Sequence, residues 1–338
     1  MFKHRTVFIV GAGAGEELGL PVGRKLANKI RTMMDVRFER GFEPIGEGDY
    51  GLYSQLSHIF PKHGPQLQEA AGRIYDGIGL VAQSIDDFLD QHRDDQLVNL
   101  YGKAAIVQAI AEAERASKLW VDMAKGENTF DDQKLADTWI IRFMHMLCRG
   151  LPRADVGKVF DRVSFIVFNY DRCIEHFLVH ALRRGYALDQ QDAVSIVDGL
   201  NIVHPYGTIG DLKRVPFGST RLNWTSVSKD IKTYTEQAGT DLVPTLRDMV
   251  QNAEHIVFLG FAYYDQNMAM LTPGPLLVER KRVFGTAYGM SDSDVDVVSN
   301  QIDRWYISHH VPRSDRVRIE NKLKCAALFD FHAKSLTA

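Results

Sequence analysis

Residues 6–26 read TVFIVGAGAGEELGLPVGRKL, and the order of residue types in this stretch decides the fold class. Thr6-Val7-Phe8-Ile9-Val10 is apolar and β-branched without alternation, the pattern of a strand buried on both faces. Gly11-Ala12-Gly13-Ala14-Gly15 follows directly. Pro21 then opens VGRKLANKIRTMM, in which Val22, Leu26, Ile30 and Met33 recur at helical spacing. Strand, glycine loop and helix in this order form the first half of a nucleotide-binding α/β unit. The loop permits close backbone approach and has amides that can face a pyrophosphate at a helix N-terminus. Glycine-rich turns also serve tight helix–sheet packing. The loop departs from GxGxxG: read from Gly11 the third glycine falls on Glu16, and read from Gly13 it falls on Leu18. Asp35 stands about twenty residues on, where a ribose-binding acid would fall, although MMDVRFERG also reads as a helix end. No GxxxxGK[ST] occurs, which argues against a P-loop kinase or ATPase.

The rest of the chain alternates between helical and strand patterns. From Tyr53 to Leu151 no strong strand signal occurs. LQEAAGRIYDGIGLVAQSIDDFLDQH reads as helix, and KAAIVQAIAEAERASKLWVDMAKG places Ile106, Ile110, Ala113 and Leu119 or Trp120 on one face. GENTFDD interrupts, and KLADTWIIRFMHMLCRGLP resumes with Leu135, Trp139, Phe143 and Leu147 before Gly150 and Pro152 stop it. The Met and Trp positions here read as core. Strands return at 162–168, 195–197, 200–203 and 255–259. Residues 282–287 are expected to be the last core strand, with one more strand at 326–331 in the tail. CIEHFLVHALRRG is a helix with Arg183 and Arg184 in its last turn, and SDSDVDVVSNQIDRWY is a helix with a serine cap and an acidic start. The expected class is α/β: a Rossmann-like parallel sheet with flanking helices and a large helical insertion after the first βα unit. Residues 1–52 and 151–338 would form the sheet domain and 53–150 the helical insertion.

Composition narrows the partners. The chain has 338 residues, long enough for about two domains or one with an insertion. Lys and Arg total 40 against 43 Asp and Glu, for a net charge of −3, so nothing drives the whole chain toward nucleic acid or anionic lipid. Cys148, Cys173 and Cys325 are scattered and form no CxxC pair, so no cysteine-built zinc site can be written and no metal is expected. The sparse, odd count fits a reducing cytoplasm. The start lacks a signal-peptide pattern, and no apolar run approaches the ~18 residues of a membrane span.

Several strands end in polar or glycine-containing stretches: Asn169-Tyr170-Asp171, His204-Pro205-Tyr206-Gly207 and Gly260-Phe261-Ala262. In an open parallel sheet, ligands sit beyond the carboxyl ends of the strands. These ends and the first glycine loop would therefore bring glycine amides, an Asn and a His to one crevice. The Asn169 carboxamide can hold ribose hydroxyls or orient a water, or it can cap the helix that follows. Asp171 reads as the cap or as a supporting group. His204 can act as a general base, because an imidazole titrates near physiological pH.

The ordered set, strand–GAGAGEELGLP, strand–FNYD, strand–HPYG and strand–GFAYYD, resembles the sirtuin superfamily, and within it the sirtuin-like domains of bacterial antiviral-defence NAD hydrolases. The likeness covers residues 5–35 and 160–300. In the sirtuin pattern the third motif is a His followed by Gly; here Pro205 and Tyr206 intervene before Gly207. The fourth is a GxS-like turn; here Ala262 stands for the Ser. The resemblance implies cleavage of the nicotinamide–ribose bond of NAD+, the substrate, to ADP-ribose and nicotinamide. It implies Asn169 as the group that positions ribose and water and His204 as the base. It also implies a cofactor-binding set of Gly11, Ala12, Gly13, Ala14, Gly15, Pro21, Asp171, Gly260, Phe261 and Thr286. The zinc-bearing small domain of deacetylating sirtuins needs four cysteines, and three are present, so hydrolysis is favoured over acyl-lysine removal. The same family logic implies NAD depletion during phage infection, ending in abortive infection. It also implies control through a homo-oligomer or a partner protein acting as sensor or activator. Two other functions remain open: ADP-ribosyl transfer from the same site, and a non-catalytic subunit that only binds NAD or ADP-ribose.

Overall fold

Thr6–Val10 forms β1, and each of its residues is buried. The structure, a computed structural model, describes all residues except 40–42, 83, 123–124, 126–128, 238–239, 275–280 and 307–310; the side chain of Thr225 is also outside the described set. The other strands are β2 (Phe38–Glu39), β3 (Glu43–Pro44), β4 (Val163–Val167), β5 (Asn201–Val203), β6 (His255–Leu259), β7 (Arg282–Thr286) and β8 (Val317–Glu320). Six of them form one sheet in the order β5-β4-β1-β6-β7-β8, with every pair parallel. The chain runs outward from β1 through β4 to β5, returns to β6 on the other side of β1, and continues to β7 and β8. Strand order therefore reverses between β1 and β6, the feature of a Rossmann-like sheet that opens a crevice at the carboxyl ends. Val10 pairs with both Val167 and Leu259, so β1, β4 and β6 end level.

The chain divides into two compact units. The first, Met1–Gly19, Ser117–Pro205 and Gln237–Ala338, contains the whole parallel sheet. On it Phe8 packs against Phe143 and Phe165, each at 5.2 Å between ring centroids. Phe143 also meets Phe165 at 5.4 Å, and Trp139 stacks on Phe329 at 6.2 Å. Such aromatic pairs add ~1 kcal/mol each beyond their buried area. Glu17 ties this cluster to the glycine loop. Its two carboxylate oxygens accept the amides of Trp139 (2.7 Å) and Ala326 (2.9 Å), at the starts of helices Trp139–Cys148 and Cys325–Thr337. The Trp139 indole in turn donates to the Ala14 carbonyl at 2.9 Å.

The second unit is Leu20–Ala116 with Tyr206–Glu236. Its axis is helix Gln96–Ala116, in which twelve residues are buried, and the short β2–β3 pair is antiparallel. The segment 206–236 joins it through polar contacts. Glu114, fully buried, accepts the Gly218 amide at 2.9 Å, and Lys103 pairs with Glu236 at 2.7 Å. The Trp224 indole donates to Gln55. The boundaries of these units differ from the expected 1–52, 53–150 and 151–338. Residues 117–150 lie in the sheet unit, whereas helix Gly23–Met33 lies in the helical unit.

Other expectations need correction. Residues 195–197 are helical, not a strand: Asp189 caps helix Gln190–Asp198 by accepting the Asp192 amide, and Ala193 and Val197 turn one face inward. Arg282–Thr286 is not the last core strand, because β8 lies beyond it. The tail 326–331 is helix, with Cys325, Ala326, Leu328, Phe329, His332 and Leu336 buried at helical spacing. The long helix expected over 67–92 breaks into Gly64–Gly77 and Ile85–Gln91, and Gly79 turns left-handed between them (φ +86). Part of the GENTFDD interruption lies outside the described residues. Among the described residues no helix is long and apolar enough to cross a membrane.

Candidate active site

The carboxyl ends of β1, β4 and β5 deliver one connected polar cluster. Asn169, two residues beyond β4, donates from Nδ2 to the Gly11 carbonyl at 3.2 Å. His204, one residue beyond β5, donates from Nδ1 to the Asn169 backbone carbonyl at 3.0 Å. Its Nε2 lies 3.0 Å from Glu175 Oε1. Glu175 stands in the first turn of helix Cys173–Tyr186, where the helix dipole favours a negative charge. Its other oxygen, Oε2, is buried without a hydrogen-bond partner.

These contacts bear on the charge state of His204. Both ring nitrogens face acceptors, a carbonyl and a carboxylate, and an imidazole can donate from both only as the cation. The side chain is 10 % exposed. Burial lowers its pKa, but the Glu175 carboxylate, followed by the Asn169 carbonyl and Asp171, outweighs that and holds it above the ordinary value. The Glu175 and Asn169 contacts thus favour the imidazolium form of His204. It becomes a base only after releasing its Nε2 proton, and the nearest acceptor is Glu175 itself.

Asp171 is buried, and its Oδ1 accepts the Cys173 amide at 3.1 Å, so it supports the start of the following helix from the residue before the N-cap, Arg172, rather than capping it itself. Burial raises the pKa of its carboxyl, with the Cys173 contacts acting in the opposite sense.

The first loop is organised around backbone crossing. Residues Ala12–Glu16 form a short helix rather than an open loop. The Gly11 amide bonds the Leu259 carbonyl, Gly13 bonds Gly260 at 2.9 Å, and Ala14 bonds Gly11 at 3.0 Å. A Cβ on Gly11 would lie 2.6 Å from the Gly260 oxygen, and one on Gly13 would lie 2.9 Å from the Gly260 Cα. Gly260 itself has φ +56, and a Cβ there would lie 2.0 Å from the Ala14 nitrogen. These three glycines thus let two loops touch at the reversal point of the sheet, and they commit three of the amides that were expected to face a pyrophosphate. Ala14 and Gly15 are buried beneath this crossing.

The remaining expected residues divide sharply. Thr286 Oγ1 accepts the Gly260 amide at 2.8 Å, and its carbonyl accepts the Tyr263 hydroxyl at 3.1 Å, so it holds the Gly260 turn from β7. Phe261 is 4 % exposed and packs against Phe168 and Phe258 at 5.2 and 5.4 Å, as part of the core. Pro21 belongs to the other compact unit, two residues before helix Gly23–Met33. Asp35 lies there too, paired with Arg37 at 2.6 Å and accepting the Glu47 amide, as part of a turn. Gly207 has φ +74, and a Cβ there would lie 1.8 Å from the Asp230 oxygen. The two residues inserted between His204 and Gly207 thus coincide with the passage from the sheet unit, which ends at Pro205, to the helical unit.

Glu175 is the residue that sequence reasoning missed. The available signal was its position four residues after Asp171 in NYDRCIE, within the first turn of the helix that follows β4. Among the described residues no group of three or more His, Cys, Asp or Glu is arranged to hold a metal ion. A comparison with models of protein families finds no match, and a comparison with curated protein sequences finds none with significant similarity.

Proposed function

We propose that the chain is a sirtuin-like NAD+ hydrolase that cleaves the nicotinamide–ribose bond at the carboxyl ends of β1, β4 and β5. The observation that carries this is the continuous chain of contacts from the Gly11 carbonyl through Asn169 to His204 and Glu175. The scissile bond breaks with its electron pair going to nicotinamide, which leaves neutral, while positive charge develops on the ribose. Such a step needs a held sugar, a placed water and a nearby negative charge more than a strong nucleophile. The Asn169 carboxamide oxygen holds a ribose hydroxyl or the water. Glu175, through the unpartnered Oε2, supplies negative charge near the developing cation. Water adds to the ribose carbon and its proton passes to neutral His204, the form created when the Nε2 proton has been released to solvent, so that Glu175 keeps its negative charge. The products are ADP-ribose, nicotinamide and one proton. In the cell this chemistry would deplete NAD during phage infection, under the control of self-association or a partner protein.

One set of observations favours a second function, a nucleotide-binding subunit without turnover. Three loop amides are already bonded, and both nitrogens of His204 are occupied. Incubation of the purified chain with NAD+, alone and with the product of the neighbouring gene, separates the two. Free nicotinamide supports hydrolysis, and NAD+ that is bound but intact supports the binding subunit. Nicotinamide release with labelled protein would instead indicate ADP-ribosyl transfer.

A further inference from the structure

Glu17 stands at the end of the short helix Ala12–Glu16, and its carboxylate joins segments far apart in the chain. Its Oε2 accepts the Trp139 amide at 2.7 Å, and its Oε1 accepts the Ala326 amide at 2.9 Å. These amides lie in the first turns of helices Trp139–Cys148 and Cys325–Thr337. Neither helix is capped by the side chain at its own N-cap, Thr138 or Lys324. Glu17 therefore supplies both helices with the acceptor and the negative charge that a helix N-terminus favours. The two helices are in turn fixed to the sheet: the Phe143 ring lies 5.2 Å and the Phe329 ring 6.1 Å from that of Phe8 on β1.

From this clamp a continuous set of contacts leads to the candidate site. The Trp139 indole donates to the Ala14 carbonyl at 2.9 Å. The Ala14 amide donates to the Gly11 carbonyl at 3.0 Å. The same carbonyl accepts Asn169 Nδ2 at 3.2 Å. A second route meets the Gly260 turn. Cys325, next to Ala326, has its Sγ 4.0 Å from Thr286 Oγ1, the acceptor of the Gly260 amide. The Gly260 carbonyl accepts the Gly13 amide at 2.9 Å. The helix Ala12–Glu16 is thus held at its end, at Ala14 and at Gly13, and the Gly11 carbonyl is placed from all three.

We propose that Glu17 is a positioning residue for Asn169. By clamping the glycine segment to two core helices, it fixes the Gly11 carbonyl and hence the direction in which the Asn169 carboxamide faces the substrate sugar. This role rests on the reading of the site as one that acts on NAD+. In Glu17→Gln one amide keeps an oxygen acceptor and the other meets an NH2 donor, so the clamp is broken with little change in volume.

The test is a double-mutant cycle between Glu17 and Asn169 in the full chain. It is read by NAD+ turnover and by the Asn169 side-chain amide resonance, identified by its absence in Asn169→Ala. Glu17→Gln is expected to lower kcat about tenfold or more in the wild-type background. It should have no further effect in Asn169→Ala, because groups that act through one another are not additive. A purely structural loss would appear in both backgrounds. The Asn169 resonance should shift in Glu17→Gln and in Trp139→Phe, which removes the indole donor to Ala14. It should stay in place in Glu16→Gln, which alters the neighbouring exposed carboxylate. Trp139→Phe remains informative if Glu17→Gln does not fold. Equal losses of turnover in the two backgrounds, or a resonance unmoved in both clamp variants, would overturn the proposal. Wild type without turnover under any condition would instead overturn the NAD+ reading, and the resonance would still decide the role of Glu17.

Discussion

The strands on either side of β1 end level with it and hand over to loops of opposite character. On the β4 side, the chain leaves the sheet with polar side chains: Asn169 reaches back to Gly11, and His204 and Glu175 complete a chain of contacts. On the β6 side, the chain leaves with Gly260, Phe261 and Tyr263, which bury aromatic rings and press backbone against backbone. By residue type both loops read as ligand-binding strand ends. The difference teaches that strand-end position by itself does not distinguish a loop that binds from a loop that packs. The side chain's hydrogen-bonding capacity, set against the space around it, does.

This contrast predicts which substitutions damage the fold and which leave it intact. The largest effect is expected for Gly260→Ala. Its Cβ would lie 2.0 Å from the Ala14 nitrogen at a left-handed φ of +56, and the expected loss is about 4 kcal/mol or more in urea unfolding. An unchanged midpoint would mean that the two loops do not cross as described. Next comes Thr286→Val, which removes the acceptor for the Gly260 amide at a cost of about 1–3 kcal/mol. Asn169→Ala removes one partly exposed side-chain bond to Gly11 and should cost only about 1 kcal/mol. If Asn169→Ala proved as destabilising as Gly260→Ala, the β4 side would also be a packing loop and the contrast would fail.

The finest distinction is electrostatic. His204 should titrate above the ordinary imidazole value in wild type by nuclear magnetic resonance, because Glu175, the Asn169 carbonyl and Asp171 together outweigh burial, the largest single cause. In Glu175→Gln the Glu175 contribution is lost, and burial should bring it below that value. The linked stability has a definite sign. The contribution of the charged pair is fully present below the unfolded histidine pKa of about 6.5 and is lost as pH rises through the higher folded value. NAD turnover that needs neutral His204 should therefore rise with pH in wild type. The rise should move to lower pH in Glu175→Gln, even where the maximum is reduced. A His204 resonance unaffected by Glu175→Gln would contradict the pairing.

Much of the fold was legible from residues 6–26 and from strands whose residues are buried on both faces, since a short, continuous apolar run followed by glycine suits a strand covered on two sides. The errors fell where local preference and tertiary context disagree. Ser195-Ile196-Val197 looks β-like by residue type, yet Asp189 supplies a cap and Ala193 and Val197 supply a buried helical face. The segment ALFDF in the tail has strand-like residues, but Cys325, Leu328, Phe329 and His332 meet the core at helical spacing. The strand VRIE is too short and too charged to stand out, although it completes the sheet edge. In the site, Asn169 and His204 were visible because each follows a strand directly. Glu175 was not, because its role arises from a helix bringing it to a histidine twenty-nine residues later. The glycines were visible as glycines, but only the structure distinguishes amides facing a ligand from amides bonded to Gly260 and Leu259.

The most direct test of the central claim is release of free nicotinamide from NAD+ by the purified chain, alone and with the product of the neighbouring gene. The account predicts nicotinamide and ADP-ribose from wild type under at least one of these conditions. It predicts a loss of about a hundredfold or more in Asn169→Ala and His204→Ala, whose unfolding curves remain cooperative and close to wild type. Wild-type turnover in both variants would contradict the site, and bound but uncleaved NAD+ under every condition would contradict the hydrolase.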